Sequence, residues 1–361
     1  MAENTQSSTP HAVMHMRSVP DGIRWQAEHA EQAGSPHTAR VILALLAVLD
    51  SDTKVGRAMR GWEGLLLEDA MPLRIHGGLH NLLLTGADGR LAPVYAGEIT
   101  DQGAVDALVA ELVERFDERL LPWLDGPPQT NEAGRSASIV AALLWLAERI
   151  GKRMELLEIG SSAGVNTMLD RYRFDLGGVQ IGPSDSPMHI APDWRGPPPP
   201  PGPLDITHIA GCDIAPIDLA DPQAALRLKS YVWPDAAARI ARIDAAIALA
   251  ATQLPDVAEE PADSFVVRKL AEPQEKGSAR VLFHSIVWQY IPADARGRIS
   301  EAMEAAGMAA SADRPLAWVM LETNRQTFKH ELRVRHWPDG AEWVQLAEAH
   351  PHGAWVEWSG I

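Results

Sequence analysis

Up to about residue 150 the apolar positions return at helical spacing. Residues 37–49 carry them in the periodicity of one helix, with Pro36 suited to its first turn after the break at Gly34-Ser35. Residues 104–121 form an amphipathic pattern closed by Pro122, and the Ala/Leu-rich stretch 136–150 follows, with Thr130 or Asn131 placed to cap its first turn. Pro72, Gly77-Gly78 and Gly86 punctuate what reads as a loop-rich stretch between them. Residues 17–150 thus read as an N-terminal helical domain, preceded by a flexible polar tail at 1–16.

Past Gly151 the pattern changes. A short apolar run at 154–159 stops at Gly160 and gives way to a helical pattern at 165–172. Further strands are expected at 205–213, near 257, at 279–287 and at 316–322, with helices at about 235–253 and 293–306 between them. Such alternation predicts an α/β domain over 151–361 built on a parallel sheet. Residues 328–336, 342–347 and 354–358, separated by turns at 337–340 and 350–353, predict antiparallel strands at its end. Pro197 to Pro201 must be extended, and mark a proline-rich insertion or lid near 180–204. No repeat of 20 to 50 residues is present.

The 32 basic and 48 acidic residues leave a net charge of −16, which repels a phosphate backbone and speaks against a nucleic-acid partner. The single cysteine, Cys212, makes no internal disulfide and reads as a buried inert thiol. The apolar run 41–49 is about half a bilayer span, and residues 1–20 lack the order of a secretory signal. A cytoplasmic protein acting on a small molecule, with no membrane partner, is the expectation. The 12 tryptophans are expected mainly in packing.

The densest local chemistry is Glu158-Ile159-Gly160-Ser161-Ser162-Ala163-Gly164-Val165-Asn166. Gly160 permits a sharp turn, Gly164 a close approach of backbone to a ligand, and a helix start there offers free N–H groups to an anion. The spacing is not that of the dinucleotide fingerprint. It does satisfy G-x-S-x-G around Ser162, so a serine hydrolase is an alternative, although such a nucleophile needs neither Glu158 nor Asp213. Asp213 ends the second strand, where a carboxylate can accept two hydroxyl groups or simply cap a turn. Roughly 50 residues separate it from Gly160, against about 20 in a compact unit, and the insertion absorbs the excess.

At the carboxyl end of the strand near 281–287, His284, Ser285, Gln289 and Tyr290 are placed to face a ligand. His284 would serve as a base, or be a satisfied core histidine packed with Trp288. Asn131, Glu132 and Arg135 either reach over the pocket or leave Glu132 and Arg135 as a helix-surface pair. Residues 170–173 are either an ionic link to the helical domain or pocket wall. His76 and His80 are four apart, but Gly77-Gly78 argues against a rigid helix between them, so no metal is expected.

Residues 158–164 resemble the acidic-x-Gly-x-Gly-x-Gly loop of class I S-adenosylmethionine-dependent methyltransferases, with Ser162 in place of the middle glycine. Residues 211–216 and 281–292 resemble the ends of the second and fourth strands of that superfamily, and the terminal strands resemble its closing hairpin. From Ile23 onward the chain also resembles an uncharacterised bacterial family, domain of unknown function 2332. That resemblance rests on residues 129–135, 156–166 with 170–172, 231–235, and His284-Ser285 with 288–290. Together these imply a Rossmann-like sheet and S-adenosylmethionine as cofactor. Glu158, Gly160, Ser161, Ser162, Gly164, Asn166, Asp213 and Ser285 would hold it, with Glu260 on the adenine side. His284 and Tyr290 would be catalytic, and Asn131, Glu132, Arg135 and Gln289 would bind the acceptor. A non-catalytic scaffold that keeps the fold is the other expectation.

Overall fold

Leu156, Leu157, Glu158 and Ile159 are buried in succession, as in a strand covered on both faces. The computed structural model describes residues 18–63 and 69–360 and sets this run as β1 (Arg153–Ile159) inside a nine-stranded sheet. In chain order there follow β2 (Arg173–Leu176), β3 (Val179–Ile181), β4 (His189–Ile190), β5 (Asp193–Arg195), β6 (Asp205–Asp213) and β7 (Val257–Glu259). Then come β8 (Ala279–Ser285), β9 (Leu316–Thr323), β10 (His330–Trp337), β11 (Gly340–Ala349) and β12 (Trp355–Trp358). The large sheet runs β5-β12-β11-β10-β9-β8-β1-β6-β7, and β3-β2-β4 form a small separate sheet.

β7, β6, β1, β8 and β9 are mutually parallel, so the chain leaves β1 to one side through β6 and returns to the other side at β8. In open sheets of this kind, ligands bind where the strand order reverses, which here is the carboxyl end of β1. From β9 onward the chain turns back on itself, and β9 to β12 form a four-stranded antiparallel meander. The expected antiparallel ending is present and extends beyond one hairpin: short turns join each neighbour, and all four strands are consecutive in space. β5 adds a parallel edge beside β12, so the first part of the insertion is sheet. Trp194 Nε1 donates to Pro197 O at 2.8 Å and fastens the proline run behind it.

Leu157, Ile159, Leu282 and Trp318 share a core with Phe265, Ile299 and Met303 from the helices Ala262–Ala271 and Ala293–Ala309. Alternation sends Leu156 and Glu158 to the opposite face. The helix Ser136–Ile150 packs against β9, β10, β11 and β2. It is buried without interruption from Ser136 to Leu146, and an all-round apolar helix needs cover on every side.

The chain divides into two units, one running to Pro128 and including Ser230–Ala237, the other holding the rest. Residues 129–150, read above with the helical segment, cluster with the sheet. In the helical unit the expected helix at 37–49 is broken into Pro36–Leu43 and Leu45–Leu49. Ser35 makes no side-chain cap there; Asp235 does, accepting from His37 N at 3.0 Å and from Thr38 Oγ1 at 2.6 Å. The loop expected around Gly77-Gly78 is corrected to the helix Met71–Leu84. A Cβ at Gly77 would meet the Tyr231 ring, and one at Gly78 would meet Leu120 and Trp123, so both glycines admit large side chains against the helix. His76 Nε2 contacts Tyr95 OH at 3.2 Å, and His80 Nδ1 contacts Ser230 O at 3.1 Å. The tail at 1–16 lies outside the described residues.

Candidate functional site

Ile159 and Cys212 are register partners on neighbouring parallel strands, so the segments leaving β1 and β6 start side by side. The chain bends at once after Ile159: Gly160, Ser162 and Gly164 all have positive φ, near +71°, +52° and +70°. Gly160 N and Ser161 N both donate to Cys212 O at 2.9 Å. Ser162 N then donates to Asp213 Oδ2 at 2.8 Å, while Ala215 N reaches Oδ1 at 3.0 Å. The bend and the carboxylate meet, as the sequence suggested. Asp213 is only partly buried, and each of its oxygens keeps a further lone pair.

Two expectations about this loop are corrected. The space at Gly160 is occupied by Val287, and that at Gly164 by Pro255 and Val257, so the missing side chains make room for the protein's own packing. No α-helix follows either. Asn166–Arg171 is a six-residue 3₁₀ turn, with Gly164 N bonded to Ser161 O and Val165 N to Asn131 Oδ1, both at 2.7 Å. The anticipated anion seat at a helix start is thus absent among the described residues. Apolar spacing at 165–172 is met by a tight buried turn just as well as by a helix.

Glu158, on the far face of β1, is 1% exposed, and its Oε2 has no hydrogen-bond partner among the described residues. Burial pushes its pKa up to about 8, against hydrogen bonds from Ser161 and Asn166 and the charge of Arg135. Asn166 is itself oriented by Ser136 Oγ, which donates to its Oδ1 at 2.8 Å. Ser162 Oγ is buried and also lacks a partner. A nucleophile at that position would have no base in contact. Burial also holds the Cys212 thiol well above its usual range.

The assignment of His284 as a base is corrected. Its Nε2 accepts from Trp318 Nε1 at 3.0 Å, so Nδ1 carries the proton and donates to Glu322 Oε1 at 2.7 Å. The ring is fully buried and stacked on Trp288. Both nitrogens are spent. Glu322 Oε1 also receives Val287 N and Trp288 N, at 3.1 and 3.2 Å, which makes this carboxylate the organiser of the turn after β8. Tyr290 is 67% exposed and Gln289 is exposed beside it. With Ile214 and Phe328 it makes three exposed large apolar side chains on segments at this edge. Ser285 is buried, and Glu260 is tied to Arg268 at 2.6 Å, with its backbone N–H on Asp213 O.

Residues 129–135 do reach this edge. Gln129 Nε2 donates to Ala215 O at 3.0 Å, and Asn131 holds the glycine turn as described. Glu132 and Arg135 are not a surface pair. Glu132 lies buried between Arg239 Nε (2.8 Å) and Arg242 Nε (2.9 Å). Burial raises its pKa, but the two guanidiniums outweigh that and hold it below the usual range. Arg135 donates from Nε to Pro351 O at 2.8 Å and from Nη1 to Ser285 O at 3.3 Å. Sequence reading missed Glu322, Arg239, Arg242 and His330; His350 and His352 stood out only as a pair flanking the proline turn at 350–353, with no metal expected there. Arg171, read as an ionic link or pocket wall, donates to Gln253 O at 2.6 Å. Among the described residues no group of three or more His, Cys, Asp or Glu is arranged to hold a metal ion, and no helix is long and apolar enough to cross a membrane.

No curated protein and no solved structure gives a significant match to the chain. The family model for DUF2332, described as an uncharacterized protein conserved in bacteria, matches residues 21–358, and the chain belongs to that family.

Proposed function

We propose that the protein binds S-adenosylmethionine at the carboxyl end of β1 and transfers its methyl group to a small molecule. The observation that carries this reading is the 2.8 Å contact between Ser162 N and Asp213 Oδ2, which brings the bend and a carboxylate together beside the reversal of the sheet. The parallel strands, taken in chain order, lie 3-2-1-4-5, the doubly wound arrangement whose ligands sit at that reversal. Asp213 fits the cofactor in chemistry, retaining acceptor capacity for ribose hydroxyls. The orphaned Glu158 Oε2, on a carboxyl that burial keeps protonated at neutral pH, would meet an ammonium group only by giving up that proton on binding.

The bound cofactor supplies an electrophilic methyl group. What the chain contributes is alignment and exclusion of water more than proton transfer, because His284 is committed at both nitrogens. Glu322 fixes the β8 turn, and Tyr290 and Gln289 stand at the rim where an acceptor enters. Calorimetric titration of the full chain with S-adenosylmethionine and S-adenosylhomocysteine tests the reading. Saturable heat in the micromolar range is expected, and no heat at high micromolar ligand overturns it. A second reading, binding without turnover, is favoured by the locked His284; it predicts that heat without any S-adenosylhomocysteine formed across a panel of small acceptors.

A further inference from the structure

In a chain of net charge −16, cationic side chains gather at one place on the ligand edge of the sheet. Arg135 reaches Pro351 O, Arg242 Nη2 reaches His352 O at 3.2 Å, and His352 N donates to His350 Nδ1 at 3.1 Å. The His350 and His352 rings lie 5.6 Å apart, edge to face. His330 stands at the start of β10, its Nδ1 2.9 Å from Thr323 Oγ1, close enough to Arg135 and His350 to feel both charges. The acids that face this group are Glu132, already shared by Arg239 and Arg242, Glu322, already spent on His284 and two backbone N–H groups, and the buried Glu158, which acts on Arg135.

Donors are left over. Arg239 uses only Nε, and Arg135 only Nε and Nη1, so Arg239 Nη1 and Nη2 and Arg135 Nη2 have no partner among the described residues. Arg239 has a side chain only 13% exposed, yet these donors are not among the buried unpartnered atoms, so they touch solvent and are open to an incoming anion. His350 accepts at Nδ1 and therefore presents an Nε2–H. The Nδ1 of His352 is buried and unpartnered. Three guanidiniums face Glu132 and Glu322, both committed elsewhere, and Glu158, whose burial favours the neutral acid, so positive charge is in excess here.

The geometry points to an oxyanion seat formed by Arg135, Arg239, His330, His350 and His352, which takes the carboxylate or phosphate of the methyl acceptor. Its role for an acceptor rests on the methyl-transfer reading; its capacity for an oxyanion does not. Planar guanidiniums suit either group, and the histidines adjust their charge to it. The state of these rings agrees. Burial first, then the neighbouring guanidiniums, hold His352 well below the ordinary histidine value and lower His350 and His330. A bound anion reverses the second of these effects.

The experiment follows the imidazole resonances of the full-length protein by NMR, assigned with His330→Gln, His350→Gln and His352→Gln. Inorganic phosphate and succinate are titrated separately, with chloride at matched ionic strength as control. Saturable shifts of the His350 and His352 signals are expected, with their apparent pKa values rising by about one unit when saturated, and the oxyanion with the lower midpoint names the class. Arg239→Gln should raise that midpoint at least tenfold. Because it leaves Glu132 half-paired, His330→Gln serves as the second variant and should also raise the midpoint. Shifts no larger than those in chloride, or an unchanged midpoint in a folded variant, overturn the seat. A parallel titration with S-adenosylhomocysteine keeps the two readings apart: oxyanion response without nucleoside binding supports the seat and fails methyl transfer alone.

Discussion

Gly134 and Gly353 meet backbone to backbone. A Cβ on Gly134 would stand 2.7 Å from His352 O, and one on Gly353, whose φ is +70°, would run into the Gly134 backbone. The contact joins the segment entering the helix Ser136–Ile150 to the turn between β11 and β12, and it sets Arg135 against Pro351 O. No side chain can yield here, since both neighbours are main chain.

Gly353→Ala should therefore destabilise the protein by about 2–4 kcal/mol, from left-handed strain together with overpacking. Gly134→Ala, free of the φ penalty, should cost less. Urea denaturation of both variants measures this; an unchanged midpoint for Gly353→Ala would mean that the turn is free to move away.

Glu158 gives a pH dependence whose sign is opposite to that of a salt-bridged acid. Its folded pKa of about 8 lies above the ordinary 4.5, so between these values the folded state holds a proton that the unfolded chain has released. Stability contributed by this group falls as pH rises through that window and levels off above it, by an amount on the order of a few kcal/mol. Glu158→Gln should remove the slope. Its stability relative to wild type must then climb from pH 5 to pH 8, and a constant difference across that range refutes the assignment.

The strands that carry the site were legible because β1, β6, β8 and β9 are apolar runs of strand length, each ended by a change in polarity. The bend after Ile159 and its meeting with Asp213 were legible for the same reason, since parallel neighbours bring their carboxyl ends together. What lay outside the reach of the sequence depended on partners distant in the chain. Gly77-Gly78 looks like a loop until Trp123 and Tyr231 are seen to need the space. His284 looks like a base until Trp318 and Glu322, one strand away, are found on its two nitrogens. The meander brings His330, His350 and His352 together from two turns, and no local spacing announces it.

Asp213 holds two backbone N–H groups and retains lone pairs for a ligand, so its removal acts on both. Asp213→Ala should weaken S-adenosylhomocysteine binding by ~1–3 kcal/mol, the worth of a charge-assisted hydrogen bond. Asp213→Asn keeps the shape and one acceptor oxygen, and should fall between the two. Equal affinity of all three proteins by calorimetry removes the ribose role.

Glu322 is the residue on which the turn after β8 depends. One carboxylate oxygen serves His284 Nδ1, Val287 N and Trp288 N, and Val287 in turn fills the space beside Gly160. Glu322→Ala strands a buried imidazole N–H and two backbone donors, at a cost of about 3 kcal/mol or more. The loss should propagate to the loop after β1, because a displaced Val287 no longer supports Gly160. Hydrogen exchange reads this directly: the amides of residues 160–165 should lose protection in Glu322→Ala, while those of β10 and β11 keep theirs. Glu322→Gln retains an acceptor oxygen and should preserve most of that protection. Exchange that changes only at residues 286–290 would show that Val287 and Gly160 are mechanically independent.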